Sequence, residues 1–366
     1  MPHDTVLRPF HGVKLKLAKE FTGFTGPDKK FRELAKEVAG DLLPPTEDVS
    51  STTAQKTYKA EEIRRIRQKI LPNLVAAMLR ELPPVMNFRM SKGGTGKTTV
   101  SANVGACLAQ MGYKALLIDG DPQGSLSKQL GFNINVPSLT HIGTILERLS
   151  KGAPTRINEA VVSVYSGGML DLIPANITLA DDAWMASSMS RETLFLRLLE
   201  KESAFFKRYD VVIIDSAPGT SIMMNTLIAA SKIITAVVTP EAQSILALDV
   251  LRSNLAEINA TVRRGGPEVG LHIIANRYRQ SYRSHNDALE KLGTDFAPYL
   301  NDTIIRDFAG FLRETDMEDV SMSAPVLEKE PNSVGARDII DVTKALIKLY
   351  NVRVSADQPM EGQLAL

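Results

Sequence analysis

From residue 84 onward, apolar runs of strand length alternate with stretches whose apolar positions recur at helical spacing. Val85-Met86-Asn87-Phe88 reads as a buried strand, and Val100, Val104, Leu108 and Met111 then mark one face of a helix. Further strands are predicted at 113–118, 169–174, 211–214, 232–238 and 271–275. Helices are expected near 179–189, over 192–206 and 242–262, and over 335–350. Such alternation predicts an α/β fold, a mostly parallel sheet with helices on both faces. In an open sheet of this kind, binding groups collect at the carboxyl ends of the strands.

The first 84 residues follow another pattern. Phe31, Leu34, Ala35 and Val38 line one face of a helix over 29–38. Ile63, Ile66, Ile70, Leu74 and Met78 line a second, over 60–82, interrupted at Pro72. Leu43-Pro44-Pro45-Thr46 and Ser50-Ser51-Thr52-Thr53 read as loop between them. Arg64, Arg65, Arg67 and Lys69 occupy the polar side of the second helix, either a solvated face or a DNA-contacting helix. The pattern divides the chain into a helical extension (1–84), an α/β domain (85–350) and a polar tail (351–366) expected to fray.

Composition narrows the class. With 366 residues, 44% hydrophobic and 23% charged, the chain can bury a sizeable core. A net charge of +1 provides no global field for nucleic acid, so any DNA contact must come from a local patch. Cys107 is the single cysteine, which excludes an internal disulfide and an iron–sulfur cluster. No apolar run reaches membrane-spanning length and no signal-peptide core is found, so a cytoplasmic protein is expected.

The strongest chemical signal is Ser91-Lys92-Gly93-Gly94-Thr95-Gly96-Lys97-Thr98-Thr99, between the strand at 85–88 and the helix that follows. Glycines let the backbone wrap around a polyphosphate with its N–H groups turned inward. The helix N-terminus adds partial positive charge, Lys97 a full charge, and the Thr98 hydroxyl a ligand for Mg²⁺. A chance Gly/Thr-rich turn is the bland alternative. Asp215, after Val211-Val212-Ile213-Ile214, has the Walker B arrangement of a carboxylate that holds Mg²⁺, or else caps a helix. Asp119 and Asp121, in Asp119-Gly120-Asp121-Pro122-Gln123, leave a strand end two residues apart and can face one ligand; turn chemistry is the alternative for Asp119.

Ser91 stands where the ordinary phosphate loop begins with glycine, and Lys92 is a second lysine. This K-G-G-T-G-K-T-T run resembles the deviant Walker A box of the ParA/MinD family of P-loop ATPases. The D-x-D-P-Q unit, the Walker B strand, the Ser216-Ala217-Pro218-Gly219 turn and Leu172-Ile173-Pro174-Ala175-Asn176 follow in that family's order. The resemblance spans residues 84–350 and implies a P-loop NTPase fold, ATP/ADP and Mg²⁺ as cofactors, and weak ATP hydrolysis. It implies that Lys92 reaches the nucleotide of a partner subunit and that Asp121 positions the attacking water. Asp119 then supports the Mg²⁺ shell alongside Thr98 and Asp215. Asn276, at a strand end, matches the family's adenine-reading position, with Pro240 and Glu241 closing over the base, although an asparagine there is also a common turn residue. Arg277, Arg279, Arg283 and Arg306 match regions that contact DNA without sequence preference, or are ordinary surface charge.

The resemblance implies a plasmid or chromosome partitioning ATPase. It would be a homodimer that binds DNA, works with a ParB-like centromere-binding adaptor and associates with the nucleoid. Longer plasmid-type members carry an N-terminal winged helix-turn-helix, which residues 1–84 have room for and which would add operator binding. Two alternatives stay open: a site-specific autorepressor with the nucleotide site as a switch, and another cargo-positioning ATPase of the superfamily. A MinD-like membrane anchor disagrees with the Asp357-Gln358-Pro359-Met360-Glu361 tail, nitrogenase-reductase chemistry with the single cysteine, and a bacterial tyrosine kinase with the missing C-terminal tyrosine cluster.

Overall fold

A computed structural model describes residues 6–8, 10–39, 57–71, 81–136, 138–219, 221–312 and 325–355. Its centre is a sheet of seven strands. These are β3 (Val85–Arg89), β4 (Ala115–Gly120), β5 (Val162–Tyr165), β6 (Leu170–Ile173), β7 (Val211–Ser216), β8 (Ile233–Val238) and β9 (Gly270–Ala275). They lie in the order β5-β6-β4-β7-β3-β8-β9. Every pairing is parallel except β5 with β6. The strands lack hydrophobic/polar alternation because both faces are covered. Leu117 and Ile213 face one core, whereas Leu116, Ile118, Val212 and Ile214 face another.

The sequence pattern placed the parallel strands correctly and missed β5. Its Val162-Ser163-Val164-Tyr165 is too short to stand out, and its outer edge takes backbone hydrogen bonds from Leu7 and Arg8. The helix expected near 179–189 is instead two 3₁₀ turns, Ile177–Ala180 and Ala183–Ser187. Asn176 caps the first turn by accepting from the Thr178 N–H, which competes with continuous helix. The helix expected over 192–206 is broken into a 3₁₀ turn at Arg191–Thr193 and the helices Leu194–Lys201 and Ser203–Phe206.

The N-terminal extension departs most from expectation. It contains β1 (Val13–Lys14), α1 (Leu15–Thr22), α2 (Asp28–Ala39), β2 (Thr57–Tyr58) and α3 (Ala60–Ile70), with β1 and β2 paired antiparallel. Leu74, Met78 and Pro72, and the loops at 43–46 and 50–53, lie outside the described residues. Phe21, Phe31, Ile63 and Ile66 share one continuous core with Phe88, Val104 and Leu108, so the extension is built onto the α/β body. The basic side of α3 is neither solvated nor open to DNA at its central residues. Arg64, 2% exposed, donates to Asp210 Oδ2 at 2.5 Å, to the Gly112 carbonyl at 3.1 Å and to the Ser355 carbonyl at 2.7 Å. Arg67 donates to the Phe21 carbonyl and the Tyr113 hydroxyl, and Lys69 pairs with Glu37. The local sequence of α3 cannot reveal Asp210, which supplies the buried counter-charge from 146 residues away. The chain also stays packed beyond its last helix, Val334–Tyr350: Val352 and Val354 are buried and the Ser355 N–H donates to Asp210 Oδ1. The remainder of the tail lies outside the described residues.

Candidate functional site

The phosphate loop joins the carboxyl end of β3, between β7 and β8, to the helix Lys97–Gln110. Gly94 (φ 75°) and Gly96 (φ 84°) hold left-handed backbone that a side chain would strain. A Cβ at Gly96 would also lie 2.4 Å from Asn276 Nδ2, so two elements of the site meet through a missing side chain.

Register brings the carboxylates to the loop. Asp119 pairs with Asp215 across β4 and β7, and Phe88 of β3 pairs with Asp215 on the other side. Thr98 donates its hydroxyl to Asp215 Oδ2 at 2.8 Å. Asp215 Oδ1 is buried with no hydrogen-bond partner among the described residues. Burial pushes the Asp215 carboxyl up to about 7, with the nearby Asp119 charge acting the same way and Thr98 and Lys97 opposing. Lys97 is 7% exposed; burial pulls its ammonium down, while Asp215 and Asp121 favour its charge. A hydroxyl and an under-satisfied carboxylate can ligate a hard cation, and the buried ammonium beside them can hold a polyphosphate. Among the described residues no group of three His, Cys, Asp or Glu could hold a metal alone. Mg²⁺ bound mainly through phosphates does not require one.

Asp119, expected to support the Mg²⁺ shell, has both of its oxygens engaged by the protein. Its Oδ1 accepts the Asp121 N–H at 3.1 Å, and its Oδ2 accepts the Ser127 N–H at 2.8 Å and hydroxyl at 2.6 Å. Burial pushes its carboxyl up to about 6, with these hydrogen bonds opposing. Asp119 thus fixes the turn that presents Asp121, and Ser127, which the sequence reading did not single out, extends the brace to the Ala175 N–H at 3.0 Å. Asp121 accepts its own turn's Gln123 N–H, at 2.9 Å, and is half-buried beside Lys97.

A pH dependence follows from these carboxyls. Both folded values lie above the unfolded value of 3.8. Their contribution to stability is therefore fully present below 3.8 and is lost as pH rises through about 6 to about 7. Cation binding needs the ionised form, so its pH dependence has the opposite sign. Thermal unfolding of nucleotide-free protein should show stability falling from about pH 4 to about pH 7, with a flatter profile in Asp215→Asn. Mg²⁺-dependent nucleotide affinity should rise over the same interval. A flat affinity profile would remove Asp215 from the cation site.

The other predicted residues divide into two groups. Lys92 Nζ lies 2.8 Å from Glu241 Oε2, at the start of the helix Ala242–Thr261, so its charge is held within its own subunit. Gly93 and Thr95 form the body of the loop, Thr99 lies half-buried in the first turn of its helix, and Pro240 is buried after β8. Asn276 is buried, and its amide donates to the Thr95 carbonyl at 2.8 Å, buttressing the loop beside the expected base position. Arg277, at φ 57°, donates to the Gly94 carbonyl at 3.0 Å. Arg279 pairs with Asp307 at 2.6 Å, and Arg306 grips both oxygens of Asp338. Arg283 is 94% exposed and only 3.8 Å from Asp287 at its nearest, the freest of the four arginines. The sequence reading also passed over Arg89, the last residue of β3, which reaches the Gly219 carbonyl in the turn after Asp215.

Comparison with known proteins places the chain among relatives. A family model described as an AAA domain matches residues 84–265. The cell division protein PomZ of Myxococcus xanthus is 28% identical over 307 residues, covering 83% of this chain and 89% of PomZ. The virulence plasmid ParA family protein pGP5-D of Chlamydia psittaci is 30% identical over 267 residues, covering 71% of this chain and 92% of pGP5-D. The fold resembles that of Cyanothece McdA, solved as an ATP complex of a single-residue variant, with a TM-score of 0.61 at 19% identity, over 75% of this chain and 98% of McdA. Among the described residues no helix is long and apolar enough to cross a membrane. With its paired-lysine phosphate loop backed by Asp119, Asp121 and Asp215, and with pGP5-D matched over most of its length, the chain belongs to the ParA family of P-loop NTPases.

Proposed function

We propose that this protein is a partitioning ATPase that binds Mg²⁺·ATP, dimerises on it, and holds DNA without sequence preference until hydrolysis. A ParB-like adaptor on a centromere stimulates that hydrolysis, and cycles of release and rebinding move plasmid or chromosomal DNA. The observation that carries the reading is the convergence of Lys97, Thr98 and Asp215 on the phosphate loop, with Asp121 at its mouth. Thr98 and Asp215 would hold Mg²⁺, which neutralises charge on the β- and γ-phosphates when bound. Gly93 to Thr99 would cradle the phosphates, and Asp121 would orient a water by accepting its hydrogen bond. Lys92, once released from Glu241, would reach the partner's nucleotide and stabilise charge on the leaving oxygens. Asn276, Pro240 and Glu241 would surround the base.

DNA binding by the full chain on a random-sequence duplex, with no nucleotide, ADP or ATP, tests the reading. Strong, salt-sensitive binding is expected only with ATP, lost in Lys97→Ala and prolonged in Asp121→Ala. Arg283→Ala should lower the salt slope by about one phosphate contact, whereas Arg306→Ala should act mainly through the lost Asp338 pair. No binding to random DNA in any state would sink the partition reading. The similarity to PomZ then favours a second one, a cargo-positioning ATPase with the same nucleotide cycle and another cargo. Operator binding through α3 has less support, since Arg64 and Arg67 are held against the α/β body.

A further inference from the structure

Arg89 is the most fully buried cation near the phosphate loop among the described residues, at 0% exposure. It shares a face of β3 with Asn87, opposite the face on which Phe88 packs into the core around the loop's helix. Asn87 Oδ1 accepts the Ser216 hydroxyl at 2.7 Å, and Arg89 Nη2 donates to the Gly219 carbonyl at 2.5 Å. Both contacts fall on the turn that follows Asp215. Arg89 Nε and Nη1, together with Asn87 Nδ2, are buried with no hydrogen-bond partner among the described residues.

The electrostatics are equally one-sided. Burial alone pulls the Arg89 guanidinium down to about 10, with no carboxylate restoring it. Lys97 feels Arg89 as a like charge. A buried guanidinium without a counter-ion is costly, whereas the same group facing an anion in a low-dielectric site is strongly favourable. On the nucleotide-binding reading the loop's own N–H groups would serve the inner phosphates, and the turn that follows Asp215 would lie at the end of the polyphosphate.

We propose that Arg89 is a specificity-determining residue for the terminal phosphate, a buried cation in the same subunit that makes the site prefer a nucleoside triphosphate over a diphosphate. The inference rests on the nucleotide-binding reading above. Arg89 acts through its charge and free donors and through its hold on Gly219. A diphosphate ends before it reaches this group and gains little from it.

The test is titration of the full-length protein with Mg²⁺ and either ADP or a non-hydrolysable ATP analogue, for wild type, Arg89→Met and Arg89→Lys. In Arg89→Met the preference for the triphosphate should fall roughly tenfold to a hundredfold, with ADP affinity changed by no more than about twofold. The thermal midpoint without nucleotide should stay level or rise, because an unpaired buried charge has been replaced by an apolar chain of similar length. Arg89→Lys should keep part of the preference, and it decides the matter if the methionine variant does not fold. Equal weakening of both nucleotides, an unchanged ratio, or a lowered midpoint with both affinities lost would overturn the inference alone. Failure of the wild type to bind either nucleotide would overturn the nucleotide reading and this inference with it.

Discussion

Arg64→Ala is expected to cost about 3–5 kcal/mol of stability, the largest effect of any single substitution outside the nucleotide site. Arg64 and Asp210 are both buried, and their pair lies 2.5 Å apart. Alanine would leave the Asp210 carboxylate in the interior, where ionised groups need a partner. The Gly112 and Ser355 carbonyls would lose a donor in the same step. Exchanging both partners for apolar residues is often neutral elsewhere. Recovery would be incomplete here, because Asp210 also accepts the N–H groups of Lys114 and Ser355. Urea unfolding of the single and double variants checks this: a loss below about 1 kcal/mol in Arg64→Ala would mean that α3 is not seated on the α/β body in solution.

Lys97→Ala should weaken binding of either nucleotide by roughly 10- to 150-fold, because a charged donor contributes about 1.5–3 kcal/mol per hydrogen bond to an anion. Lys97 is the ammonium buried at the start of the loop's helix. Its loss also removes the cation that opposes protonation of Asp215, so the variant should bind Mg²⁺ less well near neutral pH. Calorimetric titration with ADP and with an ATP analogue separates this from the Arg89 effect, since Lys97 serves both nucleotides and Arg89 only the longer one. A change of less than about fivefold would place the phosphates elsewhere.

The readable part of this chain is the part whose partners are close in sequence. Loop, Walker B strand and the Asp119–Asp121 turn are local patterns, and parallel pairing brings them together once the strands are recognised. Two features escaped for the opposite reason. Arg89 finds Gly219 and Arg64 finds Asp210 only through the tertiary fold, at separations of 130 and 146 residues. The same distance dependence explains why a run of basic residues on α3 looked like a surface while its central arginine is buried. Strand β5 escaped because it is four residues long and its pairing partners, β6 and the Leu7–Arg8 backbone, are supplied by the fold.

The Arg64 cluster also bears on the order in which the chain assembles during synthesis. Ser355 lies 291 residues after Arg64, so α3 leaves the ribosome long before the segment that completes its polar contacts has been made. Until then the core that Ile63 and Ile66 share also lacks Ile339, Leu346 and Tyr350 of the last helix. The first helices therefore wait on the last ones, and the body closes as a late, long-range event. A ribosome stalled before residue 355 should hold a protein whose extension is still open to protease, even when the nucleotide loop has already formed.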